Sequence, residues 1–168
     1  MTISMYQASM PVLVKVMGNL AEILNKAEAH AVAQKIDPTV FLQARLYPDM
    51  YPFVRQVQIA TDVAKGCASR LAGQTPPSFE DNETTFAELH DRIAKTIVLL
   101  NAVTPEQIDG TEDATITLKV GGRERSFQGL PYLLEFVLPN VYFHTTTAYA
   151  ILRHWGVALG KADFLGSH

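Results

Sequence analysis

The chain has 168 residues, 48% of them apolar and 18% charged, with a formal net charge of −3 and a pI near 5.9. That suits a single domain, residues 1–168, with a sizeable core, and the lack of any Lys/Arg run argues against nucleic acid or an anionic membrane as a partner. Cys67 is the lone cysteine, which excludes an internal disulfide and fits a reducing, cytoplasmic setting.

The N-terminal stretch has no basic start, and Glu22 interrupts its apolar positions, so it reads as an amphipathic helix and not a signal peptide. Met10, Leu13, Met17, Leu20 and Leu24 recur at steps of three and four, which predicts a helix over about 4–29. Pro11 is awkward there: either the helix begins near it or it kinks. Asp37 followed by Pro38 is a cap and first-turn proline, so a short helix over 38–44 is expected. A second long helix over 50–72 carries an apolar stripe of Phe53, Val57, Ala60, Ala64, Cys67 and Leu71, and Gly73 stops it. Its opposite face, Tyr51, Arg55, Gln58, Asp62 and Lys65, reads first as a solvated row and second as a partner- or pocket-facing one. Gln56, nearer the apolar edge, is the better placed of the two glutamines to reach inward.

"GQTPPSFEDNET" is a loop. A third long helix follows over 84–102, with Phe86, Leu89, Ile93, Ile97 and Leu100 inward and Glu88, Asp91, Arg92 and Lys95 outward. Thr104 and Pro105 open a single helical turn. The period then changes to two on either side of Gly121-Gly122, predicting a β-hairpin over 114–120 and 123–128. The last helix carries "NVYFHTTTAYAILRHWG", with a break or kink at Pro139 and a stop at Gly156, and the tail after it is expected to be irregular. Four long amphipathic helices with a hairpin before the last give an all-α four-helix bundle.

At about 100° per residue, His144 falls inside the apolar sector of Val141, Ala148, Ile151, Leu152 and Trp155. An inward histidine needs a hydrogen-bond partner or a metal. Two ligands on one helix want spacings of three or four, but Thr147 and Ala148 hold those positions, and His154 lies ten residues on. This helix therefore offers one good ligand. His90 sits at the edge of an apolar sector on the third helix, His30 ends the first helix, and His168 closes the chain. Glu135, in apolar "YLLEFVL", is either an inward acid or metal ligand or an exposed carboxylate. Cys67 on an apolar face should be inert, and no nucleophile elbow or phosphate loop is present.

Two stretches, "YPDMYPFVRQVQIATDVAKGCASRLAG" and "LPNVYFHTTTAYAILRHWGVALGKADFLG", resemble the domain of unknown function 1993 family, within the DinB/YfiT-like superfamily. The resemblance implies a four-helix bundle and a homodimer. It also implies a divalent metal, zinc or nickel, held by one histidine on the second helix and two on the last, and in some relatives a thiol-dependent transferase or isomerase. His144 matches one of those histidines; Ala148 stands at the second, and Gln56 or Gln58 at the third. A metal here would rest on His144 with Glu135 or a glutamine. Two readings follow. One is a degenerate enzyme or small-molecule binder whose pocket holds His144 as acid or base, with Gln56, Gln58, Asp62, Tyr142 and Tyr149 around it. The other is a non-catalytic homodimer that uses Tyr51 and Arg55, or the "VYF" before His144, as its interface.

Overall fold

The structure, a computed structural model, describes residues 2–166; His168 lies outside them. Helix α1, Met5–Gln34, begins with a capping box. Ser4 Oγ accepts from Gln7 N at 3.2 Å, and Gln7 Oε1 accepts from Ser4 N at 3.1 Å. The helix starts ahead of Pro11 and runs through it as one element, with the proline on the exposed face. There the carbonyl that loses its amide partner can turn to water. The helix ends at Lys35, whose φ of 56° places it in the left-handed region.

Helix α2, Pro38–Gln43, is capped by Asp37, which accepts from Thr39 N at 2.9 Å. Helix α3 covers Phe53–Leu71 and α4 covers Phe86–Asn101. Thr85 and Glu88 form a second capping box, and the Glu88 carboxylate accepts from the amides of Thr84 and Thr85 at 2.6 and 3.0 Å. A single turn, α5, spans Pro105–Ile108.

Strands β1, Thr115–Val120, and β2, Arg123–Gln128, pair antiparallel from Thr115↔Gln128 to Val120↔Arg123. Gly121 and Gly122 both have positive φ, 58° and 78°, as a tight two-residue hairpin turn requires. Ile116 and Phe127 anchor the hairpin; the Phe127 ring lies 5.4 Å from Phe136 and 6.1 Å from Tyr132. The turn α6, Gly129–Pro131, packs so tightly that a Cβ on Gly129 would sit 2.0 Å from Thr111 O.

The expected break at Pro139 takes a different form. A π-helical segment, Tyr132–Val137, leads directly into α7, Leu138–His154. The wider turn moves the carbonyl of residue 135 away from the proline ring, which would strike it in an ordinary α-turn. Asn140 Nδ2 donates to the Phe136 carbonyl at 2.6 Å. The tail is not all irregular: Lys161–Leu165 form a short helix, α8, that docks on α1. Asn19 Nδ2 donates to Phe164 O at 3.0 Å and Lys26 Nζ pairs with Asp163 at 2.5 Å.

The fold is mostly helical, with the two-stranded hairpin before the last long helix. Among the long helices α1 packs on α4, α4 on α3, α3 on α7, and α7 back on α1. Leu13, Met17, Leu24, Phe53, Val57, Leu89, Ile93, Val141 and Leu152 fill the space between them. Among the described residues, no helix is long and apolar enough to cross a membrane.

Candidate functional site

His144 on α7 faces α3, where the packing of the two helices leaves it 9% exposed. Its Nδ1 lies 2.7 Å from Gln56 Oε1. The orientation of that amide is fixed by its other end, because Gln56 Nε2 donates to the Tyr51 carbonyl at 3.0 Å, and a carbonyl can only accept. Oε1 therefore faces the ring, and Nδ1 must carry the proton. Nε2 is left with its lone pair. Burial, and then the nearby Arg55 charge, hold the ring's pKa below the ordinary histidine value, so the neutral form dominates at neutral pH. The Phe143 ring meets the imidazole edge-on at 5.1 Å. Phe143 and Tyr51 are each 60% exposed and Tyr142 is 40% exposed. Of these rings Phe143 is the one in contact with the imidazole, while Tyr142, two residues earlier on α7, projects from nearly the opposite side of the helix.

The polar row of Tyr51, Arg55, Gln58, Asp62 and Lys65 is only partly solvated. Gln58 and Lys65 are buried beneath the loop between α3 and α4, and Arg92, expected on the outer face of α4, is 2% exposed. Arg92 Nε donates to Thr61 Oγ1 at 2.7 Å. Its other nitrogens reach Asp62 Oδ1 at 2.8 Å, Glu83 Oε1 at 2.7 Å, Asp81 Oδ1 at 3.0 Å and Glu80 O at 3.1 Å. Lys65 shares Asp62 Oδ1 at 2.7 Å, Gln58 Nε2 donates to Glu83 Oε2 at 2.8 Å, and Arg55 pairs with Asp81. Three cations, Arg55, Lys65 and Arg92, thus face three carboxylates, Asp62, Asp81 and Glu83. Such matching is what lets a guanidinium be buried. Phe79 closes the cluster from the loop, its ring centroid 3.9 Å from Lys65 Nζ and 5.3 Å from Arg92 Cζ.

Of the residues singled out by sequence, only Gln56 hydrogen-bonds to His144. Gln58 and Asp62 belong to the Arg92 network. Tyr142 is exposed, and Tyr149 packs against Phe164 with centroids 6.2 Å apart. Glu135 is exposed on the π-helical segment. His90 is half-buried, with Nε2 sealed and without a hydrogen-bond partner among the described residues. The Cys67 thiol is pushed up to about 12 by burial, which makes it inert. Helical periodicity could not have found Arg92, because its partners come from a loop about ten residues upstream and from α3.

These residues do not fit a zinc or nickel centre. His144 offers a single donor, Nε2, Ala148 has none, and among the described residues no three His, Cys, Asp or Glu side chains come together to hold a metal.

Comparison with known proteins gives a family and a similar solved structure. Residues 5–165 match the family described as Domain of unknown function (DUF1993). The crystal structure of a DinB family member protein from Shewanella denitrificans, at 1.83 Å resolution, is 41% identical with a TM-score of 0.88; the match covers 97% of this chain and 92% of that one. No curated protein matches.

Proposed function

We propose that this chain, which belongs to the DUF1993 family and is similar to a DinB family member, is a DinB-like four-helix bundle that binds a small molecule at the α3–α7 edge, with His144 as the working group. The observation that carries this reading is the 2.7 Å contact between His144 Nδ1 and Gln56 Oε1, which leaves the Nε2 lone pair free in a mostly buried ring. A neutral imidazole in that state accepts a hydrogen bond from an N–H or O–H of a ligand, and it can take the proton in a general-base step. Gln56 positions the ring and Arg55 disfavours the imidazolium. Phe143, and Tyr51 at the entry to α3, would offer aromatic surface to the rest of the ligand. A cytoplasmic setting accords with the lone, buried thiol. The metal- and thiol-dependent transferase chemistry that the superfamily resemblance implies has no ligand set here to support it.

The test is a fragment screen read on the histidine itself. Imidazole 15N spectra of wild type should show His144 protonated at Nδ1, and binding fragments should shift Nε2. His144→Phe should abolish that binding while keeping the fold. Fragments that bind both proteins equally, or a screen in which none moves Nε2, would overturn the reading.

A second reading is favoured by the exposure of Tyr51 and Phe143, each 60%: this edge is a homodimer interface with no catalytic role. Solution mass separates the two. The dimer reading expects a dimer that dissociates on Tyr51→Ser with Arg55→Ser; a strict monomer removes it.

A further inference from the structure

Two clefts on the outer side of α4 share Phe79, Asp91 and Lys95, and so form one continuous groove. One, of about 580 Å³, is apolar, walled by Pro77, Phe79, Val98 and Leu99. The other, of about 340 Å³, is polar and is lined on its carboxylate side by Glu80, Glu83, Glu88 and Asp91. Together they reach the size of ordinary ligand sites. The wall they share is fixed: Phe79 is held over Lys65 and Arg92, and Arg92 is held by Thr61, Asp62, Asp81, Glu83 and the Glu80 carbonyl. A groove set in advance binds with less ordering loss than one that must form.

Charge decides the occupant. Arg92 on α4 and Glu83 on the preceding loop cancel within the ion-pair network. That leaves Glu80, Glu88 and Asp91 facing the groove against Lys95 alone. Glu88 stays ionised, its carboxyl held below the usual range by the Thr84 and Thr85 hydrogen bonds. Asp91 stands where the polar and apolar clefts meet, and Val98, 66% exposed, presents bare apolar surface to the other half. We propose that this groove binds a small amphipathic cation, its amine against Asp91 and its apolar or aromatic body along Phe79, Val98 and Leu99. The site is independent of His144.

Isothermal titration with 4-phenylbutylamine, 4-phenylbutanol and 4-phenylbutanoate at low salt tests it, since the three probes differ only in the head group. The amine should bind best, the alcohol about five-fold more weakly, and the carboxylate more weakly again, on the scale of one partly exposed ion pair. Asp91→Asn should bring the amine down to the alcohol, and Val98→Asn should weaken all three. Both positions are exposed, and thermal melts would verify the fold of each variant. His144→Phe should change none of these values, so this site and the one at His144 fail separately. No binding of the amine, equal binding of amine and carboxylate, or an unchanged dissociation constant in Asp91→Asn would each overturn the proposal.

Discussion

Replacing Gln56 by glutamate would set a carboxylate against His144 Nδ1, where wild type has a neutral amide oxygen at 2.7 Å. In wild type the folded-state pKa of His144 lies below its unfolded value. The unfolded chain therefore binds more protons, and stability falls as pH drops below the ordinary histidine pKa of about 6.5. Gln56→Glu should invert this. Its imidazolium would be favoured in the fold, so the contribution would be present below about pH 6.5 and lost as pH rises through the new, higher pKa. NMR titration of the ring and melting curves on both sides of that pH check both signs. Gln56→Leu should leave Nδ1–H unpaired and cost about 1–3 kcal/mol in denaturant unfolding. At this scale His144 was legible, because its angle falls among Val141, Ala148 and Ile151, and so was the inward reach of Gln56. Its exclusive pairing was not, since it depends on the Tyr51 carbonyl, and backbone hydrogen bonding at a helix entry leaves no mark in side-chain periodicity.

The loop between α3 and α4 behaves as a strap, and Arg92 is what fastens it. Arg92→Met should cost about 2–4 kcal/mol. This is less than removing one member of a fully buried pair, because Asp62 and Asp81 keep some solvent with which to relax. Limited proteolysis within residues 77–83 should then become faster, and an unchanged cleavage rate would show that other contacts hold the strap. In α1, Pro11→Ala restores a backbone donor inside a long helix at an exposed position. It should raise stability by about 1–3 kcal/mol, read from the shift in denaturant midpoint. The start of α2 was legible from its cap, Asp37, and that of α5 from Thr104 and Pro105; the capping boxes at Ser4 and Thr85 were not, and Ser4 stood behind the more obvious Pro11. The hairpin was legible from its two glycines. Helix α8 was not, because five residues hold too little periodicity and its order depends on docking to Asn19 and Lys26.

Across the whole molecule, the last helix closes against the first. Phe164 lies at the seam of α1 and α7 with Val16, Leu20, Ile23 and Thr145, and the Asn19 and Lys26 contacts hold it there. Phe164→Ala should destabilise by about 1–2 kcal/mol, below the range for a fully buried phenylalanine because the ring is only partly covered. Hydrogen exchange should show the middle of α1 and of α7, around Leu20 and Thr145, loosening together; loosening confined to α8 would mean that the tail is merely attached. The pairings of Asn19 with Phe164 and Lys26 with Asp163 join residues 145 and 137 positions apart. During synthesis α1 leaves the ribosome well ahead of α8, and its apolar stripe has to wait for its final partner to arrive. A growing polypeptide of this kind presents Leu20 and Ile23 without their Phe164 cover until that residue emerges. An early stop codon therefore yields a nascent chain whose first helix never receives its lid, a natural target for chaperones and proteases.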